Sequence, residues 1–216
     1  MENQLQANRK FAQIPNKMFY GTENNEKLIY VLLQATQLAF PVDEKTGMSK
    51  AFIPPLTKEL TKRSGYCYSD ARIELILMNL KKKGYINFEL NQNKLMFEIL
   101  PIDTEEEHMF HVNWKSNDII LTGVTKIDFK IFFKLFKDKD FTLYTYTKYR
   151  MGESYEYRIT YDEWAFILWG KREDAIAYIK ETEAIVKFTS RYDGNYGGRR
   201  PNTYVTFDSV KDENED

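Results

Sequence analysis

The chain lacks most of what would tie it to covalent chemistry or to a membrane. Cys67 is the only cysteine in 216 residues, so no intramolecular disulfide can form, and a reducing cytoplasm is the expected compartment. Histidine is nearly as scarce. His108 and His111 lie three apart, but no cysteine or carboxylate at ligand spacing completes a metal site, so no metal or other cofactor is expected. No apolar run approaches the roughly 20 residues that a membrane span needs. The polar start, Met1 to Lys10, lacks the apolar stretch of a secretory signal. A Walker-type phosphate loop and a dinucleotide fingerprint are both missing. Cys67 has no histidine partner, and no two carboxylates form a recognisable acid–base pair. An enzyme is therefore not expected. A strong charge excess is missing too, because the formal net charge is −1.

What is present is core-forming material. Hydrophobic residues make up 43% and aromatic residues 15%, which excludes a disordered tail. The first hundred residues carry a slight basic excess and the remainder an acidic one. Much of the acid sits in Glu105-Glu106-Glu107 and in the tail Asp208 to Asp216, both of which read as solvated segments. Basic residues cluster at Lys81-Lys82-Lys83, Lys171-Arg172 and Arg199-Arg200.

Periodicity divides the chain in two. After a flexible start (1–10), a first unit runs over 11–100. Phe11, Ile14, Met18 and Phe19 form an apolar lead-in broken by Pro15. Asn24 or Asn25 can cap a helix bearing Leu28, Ile29, Val31, Leu32, Leu33 and Leu38. Phe52-Ile53 reads as a short strand ended by Pro54 and Pro55. Thr57 opens a helix over Lys58 to Arg63, stopped by Ser64-Gly65. Tyr66-Cys67-Tyr68 makes a tight turn in which a small residue at 67 packs well. Ser69 caps a third helix with Ile73, Ile76, Leu77 and Leu80 on one stripe, ended by three lysines and Gly84. Two alternating segments, Tyr85 to Leu90 and Lys94 to Ile99, flank Asn91-Gln92-Asn93 and read as a hairpin. That order of elements is a winged helix-turn-helix.

A polar bridge (101–117) leads to a second unit (118–207) on the same plan. Phe129 to Phe136 echoes the lead-in. Asp140 can cap a helix bearing Leu143, Tyr144, Tyr146 and Tyr149. Ile159 is a strand residue, and Thr160 caps the helix Tyr161 to Trp169. Lys171 to Ala184 is a third helix with Ala175, Tyr178, Ile179 and Thr182 inward. Val186 to Tyr192 and Thr203 to Phe207 are strands around a long loop, Asp193 to Pro201. An acidic tail (208–216) follows. The expected fold is α+β: two tandem winged helix-turn-helix domains, each of three helices plus a β-hairpin wing. Tyr144, Tyr146, Phe132 and Phe133 are candidates for packing between the units.

In a helix-turn-helix the N-terminal residues of the last helix reach base edges in the major groove. The candidates are Tyr66, Tyr68, Ser69 and Arg72 in the first unit, and Lys171, Arg172 and Lys180 in the second. Either arginine can bond a guanine edge through both of its terminal nitrogens, and the hydroxyls can hold phosphate. Asp70, Glu74, Glu173 and Asp174 oppose phosphate unless they meet a cytosine amino group. In the second loop, Gly194, Gly197 and Gly198 allow close approach, while Arg191, Arg199 and Arg200 suit a narrow minor groove. Lys81 to Lys83 at a helix C-terminus are explained by the helix dipole alone, with a phosphate role as the alternative.

The phrase Phe11-Ala12-Gln13-Ile14-Pro15, followed by Lys27-Leu28-Ile29-Tyr30, resembles the N-terminal region of replication initiators from Gram-positive plasmids. It is also similar to DnaD-like replisome organisers, which open on an F-x-x-I-P lead-in and a K-L-x-Y helix. Gly197-Gly198-Arg199-Arg200-Pro201-Asn202-Thr203-Tyr204 resembles the G-G-R-P-N-x-Y wing of phage and plasmid DNA-binding proteins, with one arginine more. The resemblance implies binding to double-stranded DNA at an origin or operator of a mobile element. The role would be replication initiation, plasmid maintenance or transcriptional regulation. The alternative is an adaptor docking on a replication, conjugation or transcription protein. Two units on one chain can act as a pseudo-dimer, and a true homodimer is left open.

Overall fold

Residues 11–40, 42–111, 118–153, 158–188 and 202–209 are described by the computed structural model. Strand β1 (Phe11–Pro15) leads through the short helix α1 (Met18–Gly21) into α2 (Asn24–Ala39). Glu23, rather than Asn24 or Asn25, caps α2. Its carboxylate accepts from the Glu26 N–H, and the Glu26 carboxylate accepts from the Glu23 N–H at 2.7 Å. Two carboxylates tolerate this closeness because Arg72 and Lys83 reach them, at 3.1 and 2.6 Å.

Strand β2 (Ser49–Phe52) runs directly into α3 (Ile53–Ser64). Pro54 and Pro55, expected to delay the helix to Lys58, instead lie within its first turn. N–H groups there have no partner inside the helix, so proline costs nothing, and its fixed φ suits the start. Helix α4 (Asp70–Lys82) has Ser69 as its cap, with Oγ accepting the Arg72 N–H at 3.2 Å. It buries Ile73, Ile76, Leu77 and Leu80, the expected stripe. Gly84, at φ +75°, takes the left-handed turn that releases the chain into β3 (Ile86–Asn91) and β4 (Lys94–Ile99). The sheet order is β2-β4-β3, all antiparallel.

The stretch read as a bridge carries a strand. β5 (His108–His111) pairs with β6 (Asp118–Leu121), and β7 (Val124–Asp128) follows. Next come α5 (Phe129–Lys134), α6 (Asp138–Glu153), β8 (Arg158–Ile159), α7 (Tyr161–Ile167), α8 (Arg172–Glu181), β9 (Ile185–Phe188) and β10 (Asn202–Thr206). The order β8-β10-β9 repeats that of the first sheet. Thr160 caps α7 as expected, through the Glu163 N–H at 3.0 Å. Asp140 does not cap α6. It lies inside the first turn and accepts from Thr182 Oγ1 at 2.6 Å, tying α6 to the end of α8. Helix α8 stops at Glu181 rather than Ala184. Thr182 is extended, and its hydroxyl accepts the Ala184 N–H at 3.1 Å, which turns the chain into β9. Helix α7 stops at Ile167, and Trp169 takes a positive φ of 55° beyond it.

The two halves are joined by the lead-ins. β1 and β7 pair antiparallel in the register Phe11↔Asp128 to Pro15↔Val124. In that register Ile14 lies opposite Thr125 and Ala12 opposite Ile127, all four buried. Helix α1 then docks on the second half, Tyr20 stacking on Phe166 of α7 with ring centroids 4.6 Å apart. Reciprocally, Arg63 of α3 lies 4.6 Å from the ring of Phe133 in α5. Phe19 meets Tyr146 edge-on at 5.2 Å, and Asn24 accepts from Thr142 at 2.8 Å where α2 and α6 pack. Of the four aromatic residues proposed between the units, Tyr146 and Phe133 make that contact. Phe132 packs among Phe133, Phe136 and Phe141, and Tyr144 bonds Asp208 at 2.8 Å beside Phe207. One apolar core runs through both halves.

Candidate nucleic-acid interface

Helices α4 and α8 are the last helix of their respective halves, each following a short turn after the preceding helix. Tyr66 stands exposed in the first turn, its N–H donating to Ser64 Oγ at 3.1 Å. Tyr68 is half-buried against the core, and its N–H donates to Thr61 Oγ1 at 3.1 Å, so it braces the turn. Cys67, expected to pack in that turn, is exposed. The chain leaves α3 through Gly65 at φ +76°, and the flanking backbone anchors at 66 and 68 leave residue 67 on the outside.

Ser69 is exposed and serves as the cap already described. Arg72 is exposed, with its guanidinium held 3.1 Å from Glu23. In the second half Lys171 is exposed at the cap position of α8 and makes no capping bond of its own. Arg172 lies 3.3 Å from Asp162 and 5.6 Å from the Tyr161 ring. Lys180 is exposed in the last turn, at the opposite end of the helix from Lys171. The structure therefore brings Tyr66, Ser69 and Arg72 together at one helix start, and Lys171 and Arg172 at the other. Arg191, Arg199 and Arg200 lie outside the described residues.

The outward faces of the two helices differ. Around α4 the positions opposite the buried stripe are Ala71, Leu75, Met78 and Lys82, all exposed. Around α8 the exposed residues include Glu173, Asp174, Ala177, Lys180 and Glu181. Acid near α4 is partly neutralised: the Asp70 carboxylate accepts from Thr57 Oγ1 at 2.5 Å, and Glu23 faces Arg72. Leu75 and Met78 carry neither the charge nor the hydroxyl that marks a polar contact to DNA. Helical spacing signals them, since they fall half a turn from Ile73, Ile76, Leu77 and Leu80.

The three lysines of the triplet have different partners. Lys81 Nζ donates to the Phe88 carbonyl at 3.0 Å, and Lys83 pairs with buried Glu26, so these two serve the fold. Lys82 points outward with Leu75 and Met78.

Away from the helices, Trp169 is 59% exposed and lines an open cleft of about 410 Å³ with Tyr20, Gly21, Ala165, Phe166 and Gly170. Among the described residues no group of three His, Cys, Asp or Glu side chains could hold a metal, and no helix is long and apolar enough to cross a membrane. Comparison with protein-family models, with curated proteins and with solved structures found no match to this chain.

Proposed function

We propose that each half is a winged helix and that the chain is a non-enzymatic, double-stranded-DNA-binding protein of a plasmid or phage. In this reading it works in the cytoplasm, in replication initiation, plasmid maintenance or transcriptional regulation. The observation that carries the reading is the doubled order of helix, strand, helix, helix and paired strands, with the same sheet order each time, on either side of the antiparallel pair β1 and β7. Two such last helices on one chain suit two successive major-groove segments of one duplex. The second hairpin, β9 and β10, would carry Arg191, Arg199 and Arg200 toward a minor groove.

The test is a gel-shift titration with duplex DNA from around the chain's own gene or origin. Binding is expected at low salt. Its affinity should fall steeply, roughly a thousandfold between about 50 and 200 mM salt for about six phosphate contacts. Absence of any shift at low salt overturns the proposal.

One observation favours a second reading, an adaptor that docks on a replication, conjugation or transcription protein. Trp169 is large, apolar and exposed beside Tyr20 and Phe166, and such aromatic anchors are enriched where proteins meet. A silent gel shift would leave that reading standing.

A further inference from the structure

Helix α4 carries an apolar outer stripe that its own fold does not use. Leu75 is 43% exposed and Met78 53% exposed, on the side opposite the buried Ile73, Ile76, Leu77 and Leu80. Small Ala71 precedes them on that line and Lys82 ends it. Cations flank the stripe: Arg72, which also faces Glu23, at the helix start, and Lys82 in the last turn. Asp70 is tied back to Thr57, and Glu74 sits half-buried at the margin. Two exposed apolar side chains between cations are too narrow a patch for a protein core, which buries many large residues together. They match a major groove well. Phosphates line its edges, and its floor offers one apolar group, the C5-methyl of thymine.

We infer that the outer face of α4 selects thymine-bearing sites, with Leu75 and Met78 set against C5-methyl groups while Lys82 meets a phosphate. This rests on the DNA-binding reading above and adds the base class that the first half recognises. Helix α8, with Glu173, Asp174 and Glu181 on its exposed side, has no such stripe, so the two halves read different chemistry.

The experiment selects duplexes from a random pool with the full chain and then rebuilds the best duplex with deoxyuridine in place of thymidine. Deoxyuridine keeps every hydrogen-bonding group and removes only the methyl. Each methyl group touched is expected to contribute about fourfold in affinity, so the uridine duplex should bind about four- to sixteenfold more weakly. The L75A/M78A variant should bind the thymidine duplex with a similar loss and show no further loss with uridine, while M78L keeps the discrimination. Both side chains are exposed, and unchanged melting temperatures confirm that the variants fold. Equal binding of the two duplexes by the unaltered chain overturns the inference and leaves DNA binding intact. So does discrimination that persists in L75A/M78A. Failure to enrich or shift any duplex at low salt overturns both.

Discussion

Three consecutive lysines end α4, and their fates differ although their residue type does not. Lys83 faces a carboxylate that is only 1% exposed, Glu26, and Lys82 faces solvent. Removing the cation from a buried carboxylate leaves its desolvation uncompensated. Lys83→Ala should therefore lower unfolding stability by about 2 kcal/mol in a urea titration, a value moderated by the partial exposure of Lys83. Lys82→Ala should change stability by less than about 0.5 kcal/mol while weakening binding to any duplex. Equal stability losses in the two variants would refute this division. The triplet could be read from the sequence as suiting a helix C-terminus. The carboxylate that claims one member lies 57 positions away, and nothing local signals it.

At the scale of elements, β1 shows how one side chain can complete a sheet edge. One edge of β1 faces β7. On its other side the Gln13 N–H donates to Gln34 Oε1 at 2.9 Å, and the Gln13 carbonyl accepts from Gln34 Nε2 at 2.8 Å. The amide of a residue on α2 thus stands where a third strand would, and satisfies both backbone groups. Gln34→Ala should cost about 1 to 2 kcal/mol by leaving both half-buried groups to water, and amide exchange at Gln13 should accelerate. A stability change within error, with unchanged exchange, would show that water substitutes fully. Several elements were legible because their causes are local: the apolar stripe and Ser69 cap of α4, the Thr160 cap of α7, and the hairpin around Gln92-Asn93. Others were misplaced where two local rules compete. Pro54 and Pro55 both end strands and begin helices, and Asp140 both caps helices and binds hydroxyls, so the neighbour that wins is a tertiary matter.

For the molecule as a whole, buried tyrosines link stability to alkaline pH. Tyr30, Tyr85, Tyr144 and Tyr204 all lie in the core. Burial raises the pKa of each above the ordinary 10, for Tyr204 to about 12. Asp208, bonded to Tyr144, and the Glu26 and Glu106 charges near Tyr85 push in the same direction. A group whose folded pKa is raised stays protonated in the folded chain after the unfolded chain has lost its proton. Stability is thus fully present below about pH 10 and declines above it, by about 1.4 kcal/mol per pH unit for each such tyrosine. Denaturant midpoints measured from pH 8 to 11.5 should stay level and then fall steeply from about pH 10. Tyr204→Phe should reduce the slope by one tyrosine's share. A level profile to pH 11.5 would contradict the buried placement of these rings.

The amino-acid sequence by itself determined that most of the helices and the strand pairs β3–β4 and β9–β10 form, though not where α3 begins or α8 ends, because each depends on spacing within a dozen residues and on the conformational limits of single residues such as Gly84. It also separated buried from outward positions on α4, since a helix places them by its turn alone. Only tertiary structure decided that β1 and β7 join the halves, that Arg72 and Arg172 each rest beside a carboxylate, and that Leu75 and Met78 stay uncovered. Those outcomes depend on which surfaces of separate elements meet, where a chain offers many partners of similar chemistry and packing selects one.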